Sequence, residues 1–235
     1  MKKIPHRPGR SIRTFRRYQP TAETDNGDIV IMVHGLIRRG RCMSHLGRRL
    51  CRAGYTVYLY DYPSTRKRIA AHGKDLLVFM DDVAAESSGK RLHFVTHSMG
   101  GIITREALAL LSARKTGTLP TQDIGRIVML APPNHGSDIA RKVVRLLPFS
   151  RRLIKPLEEL SSAPDAYIHR VPVPPPRFAV GVIAGKFDGK VSLPYTRLDG
   201  MKDHVVINAA HSFIMYRRQA KEQILHFLRE MRFRH

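Results

Sequence analysis

The segment Arg91 to Ile103, RLHFVTHSMGGII, constrains the fold of this chain more than any other. Leu92, Phe94 and Val95 form a short β-rich apolar run, and a helix-period pattern at Ile102, Ile103, Leu108 and Leu111 begins directly behind Gly100 and Gly101. A strand therefore has to turn into a helix at once, with Ser98 at the tip of the turn. Such a turn holds its serine in a strained conformation and brings two backbones close together, which is why small residues follow it. S-x-G-G alone also fits ordinary turn chemistry, so the weight falls on what surrounds it.

The same alternation runs along the chain. Strand candidates lie at 28–33, 55–60, 92–96, 126–131, 178–184 and 204–207, and helical patterns lie between them at 42–53, 67–86, 100–114 and 212–232. Strands alternating with helices at these spacings predict an α/β fold: a mostly parallel central sheet with helices on both faces. The 235 residues are enough for one such domain, expected over 25–235 behind a flexible basic arm at 1–24. Residues 138–176 break the pattern, with short helical stretches carrying Ile139, Val143, Val144, Leu146, Leu147, Leu153, Ile154 and Leu157 before a closing V-P-V-P-P-P run. Proline continues neither a helix nor a central strand, so that run reads as an extended return to the sheet.

Sheets of this kind bind ligands outside the carboxyl ends of their strands, and four candidate positions fall there. Ser98 follows the strand at 92–96. His34-Gly35-Leu36 follows DIVIMV, and the backbone N–H groups of Leu36 and Met99 are the candidates for an oxyanion hole, where each fixed donor is worth about 3–4 kcal/mol to a tetrahedral intermediate. His211 lies between the last strand and the last helix, placed to take the proton of a serine hydroxyl and return it to a leaving group. The acid that would orient this imidazole is Asp188, after the strand FAVGVIA, with Asp203 and Asp138 as competitors. The order serine, acid, histidine belongs to one fold in particular. His34, Gly35, His97, Asn134 and His135 are candidates for lining the substrate site, and the turn P-P-N-H-G-S reads equally well as structural. No histidine spacing resembles a metal-ligand set such as H-E-x-x-H, so neither metal nor cofactor is expected.

These residues resemble the α/β-hydrolase family, in particular its small bacterial lipase and esterase-like members related to the triacylglycerol lipases and the inositol deacylases. The resemblance covers about residues 28–230 and rests on V-H-G-L at 33–36, T-H-S-M-G-G at 96–101, A-P-P-N-H-G-S at 131–137, F-D-G-K-V at 187–191 and A-H-S-F at 210–213. One departure is Thr96, where the family usually has glycine. The resemblance implies an α/β-hydrolase fold, a helical cap at 138–176 over the site, and hydrolysis of an ester or related acyl bond. The expectation is a serine-dependent hydrolase of lipid-like carboxylic esters. An acyltransferase or thioesterase using the same triad, or a basic membrane-binding protein without turnover, are the alternatives.

Charge is the second unusual feature: 41 Lys and Arg face 19 Asp and Glu, a net charge of +22. The first 20 residues hold Lys2, Lys3, Arg7, Arg10, Arg13, Arg16 and Arg17 without one acid. Arg38, Arg39, Arg41, Arg48, Arg49 and Arg52 follow the first glycine turn, and Arg141, Lys142, Arg145, Arg151, Arg152 and Lys155 mark the cap. Both of these later groups are expected on the site side of the sheet. There they would gather anionic substrate, or hold the protein on an anionic membrane at about 1 kcal/mol per residue. A basic, solvated surface is the plainer reading. A nucleic-acid partner is not expected, because no recognition motif accompanies the charge. No stretch reads as a secretory signal or a spanning helix. Cys42 and Cys51 fall nine residues apart on one expected helix, about 13–14 Å along its axis, too far for a disulfide. Free thiols suit a cytoplasmic protein, peripheral to a membrane at most.

Overall fold

A computed structural model describes residues 15–235 apart from 88, 115, 116 and 118. Seven strands form one sheet: β1 (Phe15–Tyr18), β2 (Ile29–Val33), β3 (Thr56–Tyr60), β4 (Leu92–His97), β5 (Ile124–Leu130), β6 (Val180–Gly185) and β7 (Asp203–Ile207). Their order is β1-β3-β2-β4-β5-β6-β7. β1 is antiparallel to β3, and every other pairing is parallel.

The helices are α1 (Ser44–Arg52), α2 (Ile69–Ala85), α3 (Met99–Ala113), the cap helices α4 (Asp138–Leu146), α5 (Ser150–Leu153) and α6 (Pro156–Glu159), then α7 (Leu193–Thr196) and α8 (Arg218–Glu230). β2, β3 and β4 are buried along their whole length, as parallel strands covered on both faces must be. Side-chain alternation sorts them into two cores. Ile29, Ile31 and Phe94 pack with Leu76 and Phe79 of α2 and Ile102 and Leu108 of α3. Val30, Met32 and Val95 pack with Leu46 and Leu50 of α1 and Ile224 and Phe227 of α8. A one-residue slip of any central strand would exchange its two faces, so the register is fixed from both sides.

Several expectations change in detail. Phe15–Tyr18, within the segment expected as a flexible arm, is an edge strand whose Arg17 guanidinium lies 5.3 Å from the centre of the Tyr58 ring. Residues 1–14 of that expected arm lie outside the described residues. The helix expected over 212–232 is a 3-10 turn, His211–Tyr216, followed by α8, because Arg217 is extended between them (φ −66°, ψ 136°). Cys42 sits in a 3-10 turn before α1 while Cys51 lies within it, and both are free thiols. Arg48, Arg49 and Arg52, expected on the site side, line a groove between α1 and α8 instead. Residues i, i+3, i+4 and i+7 share one stripe of a helix, and the opposite stripe of α1 is buried against the sheet.

Both polar contacts and buried apolar residues tie the cap down. Ser137 Oγ accepts from the Ala140 N–H at the start of α4 and donates to the Lys190 carbonyl (2.7 Å). The Glu159 carboxylate accepts from the Ile69 N–H at 2.8 Å. Leu157 and Leu160 are buried on the body, whereas Ile139, Leu146, Leu147, Phe149 and Leu153 are exposed. The proline-rich return is held by Arg105 of α3. Its guanidinium donates to the Val171 and Pro172 carbonyls and to Asn134 Oδ1, and burial pushes its pKa down to about 10.

Candidate active site

Ser98 stands between β4 and α3 with φ 52° and ψ −127°, a conformation that a residue with a Cβ adopts only under constraint. The constraint is visible on both sides. The Ser98 N–H donates to the Leu130 carbonyl of β5 at 2.9 Å. A Cβ on Gly100 would stand 2.3 Å from the Val33 carbonyl oxygen, and one on Gly35 would stand 3.0 Å from Ser98 Cβ. Bare glycines at these two positions let α3 and the loop after β2 close on the serine.

His211 opens the 3-10 turn after β7, and Asp188 lies three residues past β6. The structure brings Ser98, His211 and Asp188 into one hydrogen-bonded chain: His211 Nδ1 is 2.7 Å from Asp188 Oδ2 and His211 Nε2 is 3.0 Å from Ser98 Oγ. A carboxylate only accepts, so Nδ1 carries the ring proton and Nε2 is left as the acceptor for the serine hydroxyl. The Asp188 side chain is 1 % exposed, and its other oxygen accepts from the Lys190 and Val191 N–H groups (2.8 and 2.9 Å). The competing acids are engaged elsewhere. Asp203 accepts from the Phe233 N–H and pairs with His235, while Asp138 accepts from Ser162.

Met99 is the first residue of α3, and the first N–H groups of a helix have no acceptor within it. Among the described residues, neither the Met99 N–H nor the Leu36 N–H has a hydrogen-bond partner. Beyond Leu36 the loop is pinned at Ile37, also left-handed (φ 55°), whose N–H donates to Ser64 Oγ at 3.1 Å.

The remaining candidates occupy two kinds of place. His34 is wholly buried, stacked on Tyr62 at 4.2 Å, with Nε2 3.2 Å from Asp61 Oδ1, and its carbonyl accepts from the Tyr62 hydroxyl (2.6 Å). Asn134 is buried between Arg105 and the Thr196 carbonyl, to which its amide donates at 2.9 Å. His97 is buried beside His211, and its Nε2–H donates to the His211 carbonyl (2.9 Å). Burial pushes the His97 imidazole down to about 3, and the neighbouring His211 adds to the shift. Gly35 abuts Ser98, and His135 is exposed in the turn before the cap.

Asp61, Tyr62, Ser64 and Arg105, which hold the two loops around Ser98, carry no motif. Only Arg105, a charge within the apolar run of α3, is unusual enough to be seen from sequence. Ile37, Phe187 and Phe213, in loops that follow β2, β6 and β7, and Leu146, Leu147, Phe149 and Leu153, in the segment after β5, are large apolar side chains exposed to solvent. Each belongs to a segment leaving the carboxyl end of a strand.

A family model described as "Alpha/beta hydrolase family" matches residues 30–220. The comparison with curated proteins returned no match. Among solved structures, a Bacillus licheniformis lipase in its mature form is 16 % identical with a TM-score of 0.70, covering 93 % of this chain and 98 % of its own. The propeptide form of that lipase is 16 % identical with a TM-score of 0.73, covering 94 % of this chain and 54 % of its own. Aspergillus fumigatus lipase B is 16 % identical with a TM-score of 0.69, covering 90 % of this chain and 55 % of its own. The chain thus spans about half the length of the latter two. At such identities the likeness carries the fold.

Proposed function

This chain belongs to the alpha/beta hydrolase family, and from that premise we propose that it is a serine-dependent hydrolase of lipid-like carboxylic esters, working through an acyl-enzyme on Ser98. The observation that carries the reading is the unbroken chain Ser98–His211–Asp188 at 3.0 and 2.7 Å. His211 takes the serine proton as Oγ attacks the ester carbonyl, and the oxyanion rests on the free N–H groups of Leu36 and Met99. The alcohol leaves with the proton from His211, and a water activated by the same imidazole then releases the acid. Asp188 holds His211 in the tautomer that both steps need.

We read His34, His97 and Asn134 as positioning groups, since the polar side-chain atoms of His34 and Asn134 and the Nε2 of His97 are engaged inside the protein, and Gly35 and His135 as the candidates that border substrate. Exposed apolar side chains on the segments that leave the carboxyl ends of the strands, Ile37, Phe187, Phe213 and the cap leucines, support an acyl chain over a small polar alcohol or acid. The cationic cap residues Arg141, Lys142, Arg145, Arg151, Arg152 and Lys155 interleave with those of the cap, a pairing that suits an anionic bilayer as the source of substrate. No helix among the described residues is long and apolar enough to cross a membrane. Attachment from the cytoplasmic side is therefore proposed as peripheral.

The test is hydrolysis of p-nitrophenyl esters from acetate to palmitate by the wild type and Ser98→Ala, with and without phosphatidylglycerol vesicles. Turnover lost in Ser98→Ala, with an optimum at longer chains that vesicles enhance, is the expected result. Turnover retained in Ser98→Ala would remove the serine mechanism, and an optimum at acetate would remove the lipid-like substrate.

A further inference from the structure

On the sheet face away from α2 and α3, α1 and α8 leave a groove of about 510 Å³ lined by His45, Arg48, Arg49, Arg52, Arg218, Lys221 and Glu222. Its volume falls within the roughly 300–1,000 Å³ of small-ligand sites. On α1 the basic residues fall at i, i+3, i+4 and i+7, one uninterrupted stripe, and on α8 Arg218 and Lys221 continue it across the groove.

Charge neutralisation here is incomplete. Arg218 is answered by Glu222 at 2.6 Å, but Arg48, Arg49, Arg52 and Lys221 have no carboxylate within ion-pair distance among the described residues. Like charges at these helical spacings repel, and the repulsion costs stability unless something neutralises it. The field registers on His45: Lys221 above all, helped by burial, Arg48 and Arg52, holds its imidazole below its usual range.

We propose that the groove between α1 and α8 is a binding site for a multiply charged phosphate anion, separate from the reaction at Ser98. Three guanidinium forks and one ammonium group match phosphoryl oxygens in geometry, and a single carboxylate would leave most of the charge unanswered. A soluble oligophosphate and a phosphomonoester lipid head group share this chemistry. The head group would turn the α1–α8 face toward a bilayer.

The full-length protein is titrated with inorganic tripolyphosphate by calorimetry and sedimented with vesicles of phosphatidylcholine containing phosphatidic acid. Both are repeated for Arg48→Glu/Lys221→Glu and for Lys74→Glu/Lys202→Glu, which makes the same charge change at exposed lysines on other surfaces. Saturable one-to-one binding is expected, weakened about a hundredfold by the groove pair, as two charge-assisted contacts of roughly tenfold each predict. The control pair should change it by less than about threefold. Because the groove pair relieves repulsion, its melting temperature should not fall, so lost binding is not lost folding. Tripolyphosphate binding without vesicle binding assigns a soluble ligand; vesicle binding that tripolyphosphate displaces assigns a head group. Equal weakening by both pairs, or no binding in either assay, overturns the proposal.

Discussion

Asp188→Asn is the sharpest test of how the site is wired. Asp188 Oδ1 accepts two backbone N–H groups, from Lys190 at 2.8 Å and Val191 at 2.9 Å, and Oδ2 accepts His211 Nδ1–H at 2.7 Å. Asparagine has one acceptor oxygen and one donor NH₂. The two backbone donors claim the oxygen, so the NH₂ faces the imidazole and Nδ1 must become an acceptor. The ring proton then moves to Nε2, where it can no longer receive the Ser98 hydroxyl proton. A wrong-tautomer histidine costs about 10⁴ in kcat, or about 5.5 kcal/mol of barrier. The fold should survive, because both backbone hydrogen bonds are retained. The assay is single-turnover acylation by a p-nitrophenyl ester, with the melting temperature as a control and Asp203→Asn and Asp138→Asn alongside. A rate within about tenfold of wild type for Asp188→Asn would refute the tautomer argument. So would a collapse of activity in Asp203→Asn, whose carboxylate serves Phe233 and His235.

His97→Phe removes the donor to the His211 carbonyl and should lower kcat about tenfold or more with KM little changed, since a buried carbonyl left unpaired costs about 1–3 kcal/mol. His97→Gln, which keeps an N–H at similar reach, should recover most of the loss, and equal defects in the two variants would deny the positioning role. Burial holds His97 down to about 3 and His72 down to about 4. Below their ordinary range the unfolded chain binds protons that the native protein refuses, so stability falls as pH drops from about 6.5 toward 4, by about 1.4 kcal/mol per pH unit for each histidine. Urea midpoints at pH 5 and 7 measure this, and a His72→Gln/His97→Gln variant with an unchanged acid slope would contradict it. Thr96 carries a buried hydroxyl with no partner among the described residues, so Thr96→Val should stabilise the protein by about 1 kcal/mol in chemical denaturation; a clear loss would mean that the hydroxyl is satisfied.

The parallel strands were legible because burial on both faces forces continuous apolar runs such as Ile29–Val33 and Val180–Gly185. β1 was not, since its sequence FRRY carries two cations in four residues. An edge strand tolerates them, and charge there blocks further pairing. Its place is decided by β3, about forty residues away, and by the Tyr58 ring under Arg17. The division of the last helix was hidden for a similar reason. Phe213 continues the apolar pattern of α8 but is exposed on the 3-10 turn that carries His211, so the periodicity ran across a boundary that the site imposes.

The candidate site was legible where a local turn builds it and illegible where it needs backbone strain. Ser98, Ile37 and Ala131 all have positive φ, at 52°, 55° and 46°, and each follows the carboxyl end of a strand bordering the site. Positive φ in a residue other than glycine costs about 1–3 kcal/mol and is rarest in a β-branched side chain such as isoleucine. Local preference therefore argues against all three conformations, and only Ser98 betrayed its own through the glycines behind it. What offsets the strain is long-range: the Ser98 N–H on Leu130 (2.9 Å), the Ala131 N–H on Ile183 (2.8 Å) and the Ile37 N–H on Ser64 Oγ (3.1 Å). Each bond joins a strained residue to a neighbouring strand or loop, so the assembled sheet holds the loops at the site in conformations that none of them would take alone.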